Sequence, residues 1–336
     1  MSMGRMKVMI TGGARYIGST VASACLDAGI RVVVLDDLST GRAEFGAERN
    51  LYRGDIADAT LLERIVKEHP DINLVIHCAA RIVVPDSVAE PLDYYDVNVG
   101  RTLTMVRLLA ALGVSRVLFS SSAAIYSGDS GGGVDEDAEI APGSPYASTK
   151  WMVEQILRDS AQAGKIRAVA LRYFNPIGAD PRLRTGLQSL APSHALGKIM
   201  TARATATPFT LTGTDWNTRD GSGLRDYIHV WDLARAHVAA VQRFDGIVNA
   251  DDPYSAMNIG TGHGVTVREL VSAFEAVTGE PLEVIESGRR PGDQAGAFAL
   301  VGRAEAGLGW KADRSVEDGV RDALAWAEKL KTLNRS

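Results

Sequence analysis

The sequence predicts an α/β protein: a doubly wound parallel sheet followed by a smaller C-terminal α/β lobe. Three observations predict it. In the first half, short β-branched runs alternate with longer stretches of helical spacing, the order that parallel strands covered by helices require. After about Phe174 the rhythm breaks at Pro176, Gly178, Pro181, Gly186 and Pro192, which mark a looped segment. The chain has 336 residues, 46% of them hydrophobic and 23% charged, enough for one large domain or two moderate ones and too apolar for disorder.

The strands are read at residues 8–10, 32–35, 74–76 and 117–119. Between them, helical spacing runs from Ser19 to Ala28, through Leu61, Leu62, Ile65 and Val66, and through Leu103, Val106, Leu109 and Leu112. A further helix carries residues 151–158, and helical patterns resume at 231–243, 265–278 and 315–331. The first domain is therefore placed at residues 1–176 with about 229–258, and the lobe at 177–228 and 259–336. The run Gly128, Asp129, Ser130, Gly131, Gly132, Gly133 reads as a flexible surface loop.

Charge and composition exclude several function classes. With 36 basic and 41 acidic residues the formal charge is −5, without the concentrated positive field that nucleic acid demands. The opening Met1–Met6 is too short and polar for a signal peptide, and no apolar run spans a bilayer. Cys25 and Cys78, far apart, make no disulfide framework. The reading is a soluble, cytoplasmic protein with no membrane and no nucleic-acid partner.

Parallel sheets bind ligands beyond the carboxyl ends of their strands. The first strand runs into Thr11, Gly12, Gly13, Ala14, Arg15, Tyr16, Ile17, Gly18 and then a helix. Such a turn presents backbone N–H groups to a pyrophosphate at the positive end of the helix. The next strand ends in Asp36 and Asp37, acids that can accept both ribose hydroxyls and repel a 2′-phosphate, which favours NAD over NADP in a Rossmann sheet. Arg15 stands where the usual pattern has glycine. It can swing out to solvent, add a cationic contact to the phosphates, or weaken cofactor binding.

Tyr146 and Lys150, spaced i and i+4 before the helical run 151–158, share one helix face. A neighbouring ammonium stabilises phenolate and moves a tyrosine towards the range of a general base. Ser120, Ser121 and Ser122 follow the strand 117–119 directly, at the edge where the cofactor is expected and where a hydroxyl can hold or relay a substrate proton.

In order along nearly the whole chain, these motifs resemble the extended short-chain dehydrogenase/reductases, and most closely the UDP-glucose (UDP-galactose) 4-epimerases. The resemblance is carried by residues 11–18, Asp55-Ile56, 87–98, 120–126, 146–150, 171–178, 221–230 and 289–293. Its most specific blocks are Arg172-Tyr173-Phe174-Asn175-Pro176 and Arg225-Asp226-Tyr227-Ile228-His229-Val230. It implies an isomerase: Tyr146 takes the proton of the sugar 4-hydroxyl while hydride passes to NAD, Ser122 hydrogen-bonds at O4, and Lys150 lowers the tyrosine pKa and holds the nicotinamide ribose. The 4-keto sugar turns over, and hydride returns to its other face.

The same resemblance assigns cofactor contacts to Gly12, Arg15, Tyr16, Ile17, Gly18, Asp36, Asp37, Asp55, Ile56, Ala79, Ala80, Asn98, Ser120, Tyr146, Lys150 and Phe174. Ile82 stands where many members carry lysine, and Arg81 is the candidate substitute. UDP-sugar contacts fall to Asn175, Ser189, Leu190, Arg225, Arg290 and Asp293, beside Ser122 and Tyr146. Arginines suit a diphosphate because a planar fork pairs with its oxygens. Ala297 aligns with a tyrosine of glucose-restricted members, leaving room for a 2-N-acetyl group. Cys78 replaces a common phenylalanine and is expected near the adenosine side. The helices of Trp151 and of Leu103 to Leu112 resemble dimer helices, so a homodimer is implied. Ala123-Ala124 beside the serines lack the acids that a 4,6-dehydratase needs. A UDP-glucuronate 4-epimerase and a catalytically silent NAD(H)-sensing protein remain as alternatives.

Overall fold

A computed structural model describes residues 6–128, 131–189, 192, 194–289 and 294–334. The first half comprises β1 (Lys7–Thr11), α1 (Tyr16–Asp27), β2 (Arg31–Asp36), β3 (Leu51–Arg53), α2 (Ala59–Glu68), β4 (Ile72–His77), α3 (Val84–Ala89), α4 (Pro91–Tyr94), α5 (Arg101–Ala111), β5 (Arg116–Ser122), β6 (Gly133–Val134), α6 (Pro145–Gln162) and β7 (Arg167–Tyr173). The second half adds β8 (Asn175–Ile177), α7 (Ala195–Thr205), β9 (Phe209–Thr212), β10 (Leu224–Arg225), β11 (Tyr227–His229), α8 (Val230–Ile247), β12 (Tyr254–Ile259), β13 (Val265–Thr266), α9 (Val267–Thr278), β14 (Val284–Ser287), β15 (Gly296–Ala299), α10 (Gly302–Leu308) and α11 (Val316–Leu333).

Seven strands form one parallel sheet in the order β3-β2-β1-β4-β5-β7-β12. Its strands are apolar on both faces, and the period of two sorts their side chains into two cores. Val8, Ile10, Val34, Ile76, Leu118 and Leu171 pack with α1 and α8 on one face. Met9, Val33, Leu35, Val75, Phe119 and Ala170 pack with α2, α5 and α6 on the other. The strand order reverses between β1 and β4, which opens a crevice at the carboxyl ends of the strands. After the looped segment the chain returns to this sheet through α8 and β12.

The lobe has its own core, where Ile199, Phe209, Leu270, Phe274 and Val320 from α7, β9, α9 and α11 meet. Capping boxes start α9 at Thr266 and α11 at Ser315, satisfying N–H groups that the first helical turn leaves free. The Arg225-to-Val230 block is the joint between the two halves. Asp226 is fully buried and accepts from Thr261 N at 2.9 Å and Ala299 N at 3.1 Å, while β11 pairs with β8.

Of the glycine run expected to be a flexible loop, Asp129 and Ser130 lie outside the described residues, and both flanks are tied down. Gly131 N donates to Gly296 O (3.0 Å), Gly296 N to Gly128 O (2.9 Å), and β6 pairs with β15. On its other side Gly296, whose φ is +108°, adjoins β10, and a Cβ there would meet Leu224 O at 1.8 Å, so β15 needs a glycine at this position.

Candidate active site

The dinucleotide end of the crevice is shaped by close backbone approach. Gly12 has φ +69°, and a Cβ there would meet Ala79 N at 2.7 Å; one on Gly18 would meet Gly12 O at 2.2 Å. Asp36 closes the turn by accepting from Ala14 N (3.0 Å) and Leu38 N (2.8 Å). Burial pushes its carboxyl up and these two bonds pull it down. A cavity of about 380 Å³ runs along this edge past Gly12, Asp36, Asp37, Asp55, Ile56 and Ala79. The glycine cradle, the acids at the end of β2 and the cavity together fit a bound NAD.

Arg15 does not swing out. It lines that cavity, and its Nη1 donates to Ala80 O at 2.5 Å. Its backbone is extended (φ −104°, ψ 172°), so a side chain costs no strain there. Arg81 N donates to Asn98 Oδ1 (2.8 Å), Asn98 Nδ2 returns to Arg81 O (3.0 Å), and the Arg81 guanidinium lies 3.3 Å from Asp93. Asp55 pairs with Arg101. Tyr16 OH donates to Gly178 O (2.7 Å), and Tyr16 N donates to Gln188 Oε1 (3.1 Å), so a side chain of the looped segment sits on the first turn of α1. Ile17 lies at the edge of the neighbouring cleft.

The catalytic candidates meet where α6 crosses the end of β5. Ser144 caps α6 by accepting from Ala147 N (3.2 Å), and Pro145 occupies its first turn. Lys150 is buried, donates to Ser120 O at 2.8 Å, and stands 4.9 Å over the Phe119 ring and 6.0 Å from the Tyr146 ring centroid. Burial pulls its ammonium down to about 8. Desolvation pushes the Tyr146 phenol up, with the hydrogen bond to Ser122 and the charge of Arg15 working the other way. In the chain alone, burial outweighs the depression of the tyrosine that the Tyr-Lys spacing suggests.

Ser120 Oγ lies 3.0 Å from Cys78 Sγ and 3.4 Å from His237 Nε2. Cys78 lies beside Ser120 and, through its backbone, against the Gly12 turn, because β4 leads it out between the two; burial raises its thiol to about 11. Phe174 is buried, with Ala297 and Ile125 in the same small cluster.

Of the residues expected to contact a UDP-sugar, Asn175 and Arg225 line a cleft of about 870 Å³, together with Tyr227 and Gln294. Arg225 is held by donation to Leu224 O (2.6 Å) and Ala295 O (3.2 Å). Ala297 lies beside it, in register with Arg225 on the neighbouring strand. Ser189 lines an adjoining cavity. Leu190, Arg290 and Asp293 lie outside the described residues. Sequence reasoning missed Lys198, which lines the large cleft, as well as Gln188 and the partners of Ser121. Each is brought in from a distant part of the chain with no local motif.

A family model described as the NAD dependent epimerase/dehydratase family matches residues 8–260. The chain belongs to this family. Within it the chain groups with the UDP-glucose 4-epimerases. It is 43% identical to the UDP-glucose 4-epimerase of Azospirillum brasilense over 96% of this chain and 92% of that one. It is 35% identical, with a TM-score of 0.91, to a crystal structure of UDP-glucose 4-epimerase from Stenotrophomonas maltophila with bound NAD and formylated UDP-arabinopyranose, covering 98% of this chain and 99% of that one. It also resembles the UDP-Glc/GlcNAc 4-epimerase of Campylobacter jejuni at 30% identity, with a TM-score of 0.81 and coverage of 96% and 99%.

Proposed function

We propose that this chain interconverts the C4 epimers of UDP-hexoses, UDP-glucose with UDP-galactose and the corresponding N-acetylhexosamine pair. The observation that carries the reading is the meeting of Tyr146, Ser122 and Lys150 where α6 crosses the end of β5, within electrostatic reach of Arg15, which lines the dinucleotide cavity. NAD, when bound, supplies a hydride acceptor and donor at the sugar C4.

The chain supplies everything else. Tyr146 removes the proton of the 4-hydroxyl and returns one to the same oxygen, and Ser122 fixes that oxygen by hydrogen bonding. Lys150, held at Ser120 O, keeps positive charge beside the phenolate. Gly12 and Gly18 let the backbone approach the dinucleotide, Asp36 and Asp37 take its adenosine ribose, and Arg15, crossing the cavity to Ala80, adds a cationic contact near the pyrophosphate. Asp55, Ile56, Ala79, Ala80, Arg81, Asn98 and Phe174 complete that wall. Arg225 and Asn175 hold the UDP moiety while the 4-keto sugar turns over in the cleft. Ala297, small and set beside Arg225, leaves room for an N-acetyl group, and the relative in Campylobacter jejuni that acts on both sugar classes supports this breadth.

A homodimer and a cytoplasmic location belong to the same reading. Leu92 is 81% and Val88 65% exposed, with Val84, Leu103 and Met152 exposed as well, an apolar face across α3 to α6 that suits a second copy. Among the described residues no helix is long and apolar enough to cross a membrane, and the two cysteines are free, as a reducing compartment keeps them.

Proton NMR of UDP-galactose and UDP-N-acetylgalactosamine, each incubated with purified protein and NAD, tests the function. New gluco-configured anomeric signals are expected from both. Signals from UDP-galactose alone would remove the Ala297 argument, and conversion of neither would remove the epimerase.

A further inference from the structure

Tyr146, Lys150 and Glu154 stand one helical turn apart on α6 and meet three consecutive residues of β5. Tyr146 pairs with Ser122, Lys150 donates to the carbonyl of Ser120 (2.8 Å), and Ser121 Oγ donates to Glu154 Oε1. Glu154 is fully buried. On the neighbouring strand Arg172 lies directly opposite Ser121. Its fork donates to the same carboxylate, Nε at 3.0 Å and Nη2 at 2.7 Å. Tyr254 OH donates to Glu154 Oε2 at 3.0 Å, and Arg172 Nη1 donates to Tyr126 OH (2.8 Å) and Glu136 O (3.0 Å).

We propose that Glu154 and Ser121 are positioning residues of the active site: the buried carboxylate clamps β5 to α6 and sets Ser122 against Tyr146. The inference rests on the epimerase reading. The physical case has two parts. A buried ion pair adds little stability over apolar packing of the same shape, whereas it fixes position wherever every donor is met, and here Ser121, Arg172 and Tyr254 all converge on one carboxylate. Ser121 also adjoins Ser122 in the backbone, so its tether leaves the catalytic hydroxyl little freedom, and misplacement by an ångström costs roughly a hundredfold in rate.

The clamp carries a charge as well as a shape. Lys150 is faced by Glu154 and Tyr146 from its own helix, Cys78 and His77 from β4 and its exit, Arg15 from the glycine turn, and Ser120 and Phe119 from β5. Of these, Glu154 and Cys78 raise its proton affinity and Arg15 lowers it. Glu154 is itself faced by Arg172, Ser121, Tyr126 and Tyr254. Removing the Glu154 charge therefore lets Lys150 lose its proton at lower pH.

The test compares Ser121→Ala, Glu154→Gln and Tyr254→Phe in the NAD-loaded enzyme. Ser121→Ala is expected to lower kcat by roughly ten- to a hundredfold, with KM for UDP-galactose and retained NAD within about twofold of wild type. Glu154→Gln is expected to do the same and to shift the alkaline limb of the kcat profile to lower pH. Tyr254→Phe removes a donor from the same carboxylate but leaves Ser121 tied, and should stay near wild type. Wild-type kcat in Ser121→Ala would overturn the proposal, as would an equal loss in Tyr254→Phe, because that pattern marks a merely structural network. A wild type that converts no sugar would end the epimerase reading instead. Positioning is then decided by the phenolate absorbance assigned to Tyr146 by difference from Tyr146→Phe, which must titrate at higher pH in Ser121→Ala.

Discussion

At the β1–α1 turn the crevice is shaped by absent side chains, since a Cβ on Gly18 would lie 2.2 Å from Gly12 O. Across from it, the β5–α6 wall is shaped by buried polar ones, with Glu154, Arg172, Ser121 and Lys150 all packed out of water. The first device is local, eight residues of one turn. The second draws on β5, α6, β7 and β12, from Ser120 to Tyr254. A backbone cradle tolerates a novelty such as Arg15, because only the φ, ψ and Cβ space of that position matter. A buried network tolerates little at its centre, because Glu154 is the partner that Ser121 and Arg172 both require.

The contrast can be broken in four places. Tyr146→Phe removes the proposed general base and is expected to lower kcat by a factor of about 10² to 10⁴, with most of the NAD retained and thermal stability little changed. A loss of retained NAD in that variant would mean that the two ends of the crevice are not separable. Gly18→Ala should do the reverse. Its Cβ meets fixed backbone, so the turn must shift at a cost of about 1–3 kcal/mol, and both Tm and retained NAD should fall. Unchanged retention would show that the cradle is looser than its geometry.

Ala297→Tyr is expected to reduce the activity ratio of UDP-N-acetylgalactosamine to UDP-galactose by roughly tenfold or more, the scale on which a filled pocket discriminates. An unchanged ratio would leave Ala297 without a role. A last effect is on stability against pH. Burial holds His77 down to about 3 and His237 to about 4, below the usual 6.5 of an unfolded histidine. Both are neutral in the folded chain, so their contribution is complete above about pH 6.5 and is lost as pH falls towards 4. Thermal melts should show Tm falling across that window, and His237→Gln should make the fall shallower.

The parts legible in the sequence are those encoded by neighbours along the chain. Strand β1, the glycine turn, α1 and Asp36 occur within 30 consecutive residues, and Tyr146 and Lys150 sit one turn apart. Arg225 and Asp226 were recognisable as a block, yet the structural reason for Asp226, its bonds to Thr261 and Ala299, joins segments far apart in sequence. Gln188 on Tyr16 N is separated from it by 172 residues, and Glu154 reaches Tyr254 across 100. Pairings of that kind follow from sheet order and helix packing, which periodicity does not specify. The same reason hid the pinning of the 128–133 flanks to β15 and the contact of Cys78 with Ser120.

The central claim is that Tyr146 and Ser122 move and hold the proton at O4 while NAD, when bound, would take the C4 hydride and return it to the same sugar. The direct measurement is NMR of UDP-galactose deuterated at C4, taken to equilibrium with the NAD-loaded enzyme in ordinary water. The account predicts UDP-glucose that keeps its deuterium at C4, because the same hydride equivalent leaves and returns. Epimerised product with hydrogen at C4 would contradict it, since the label would then have passed through solvent.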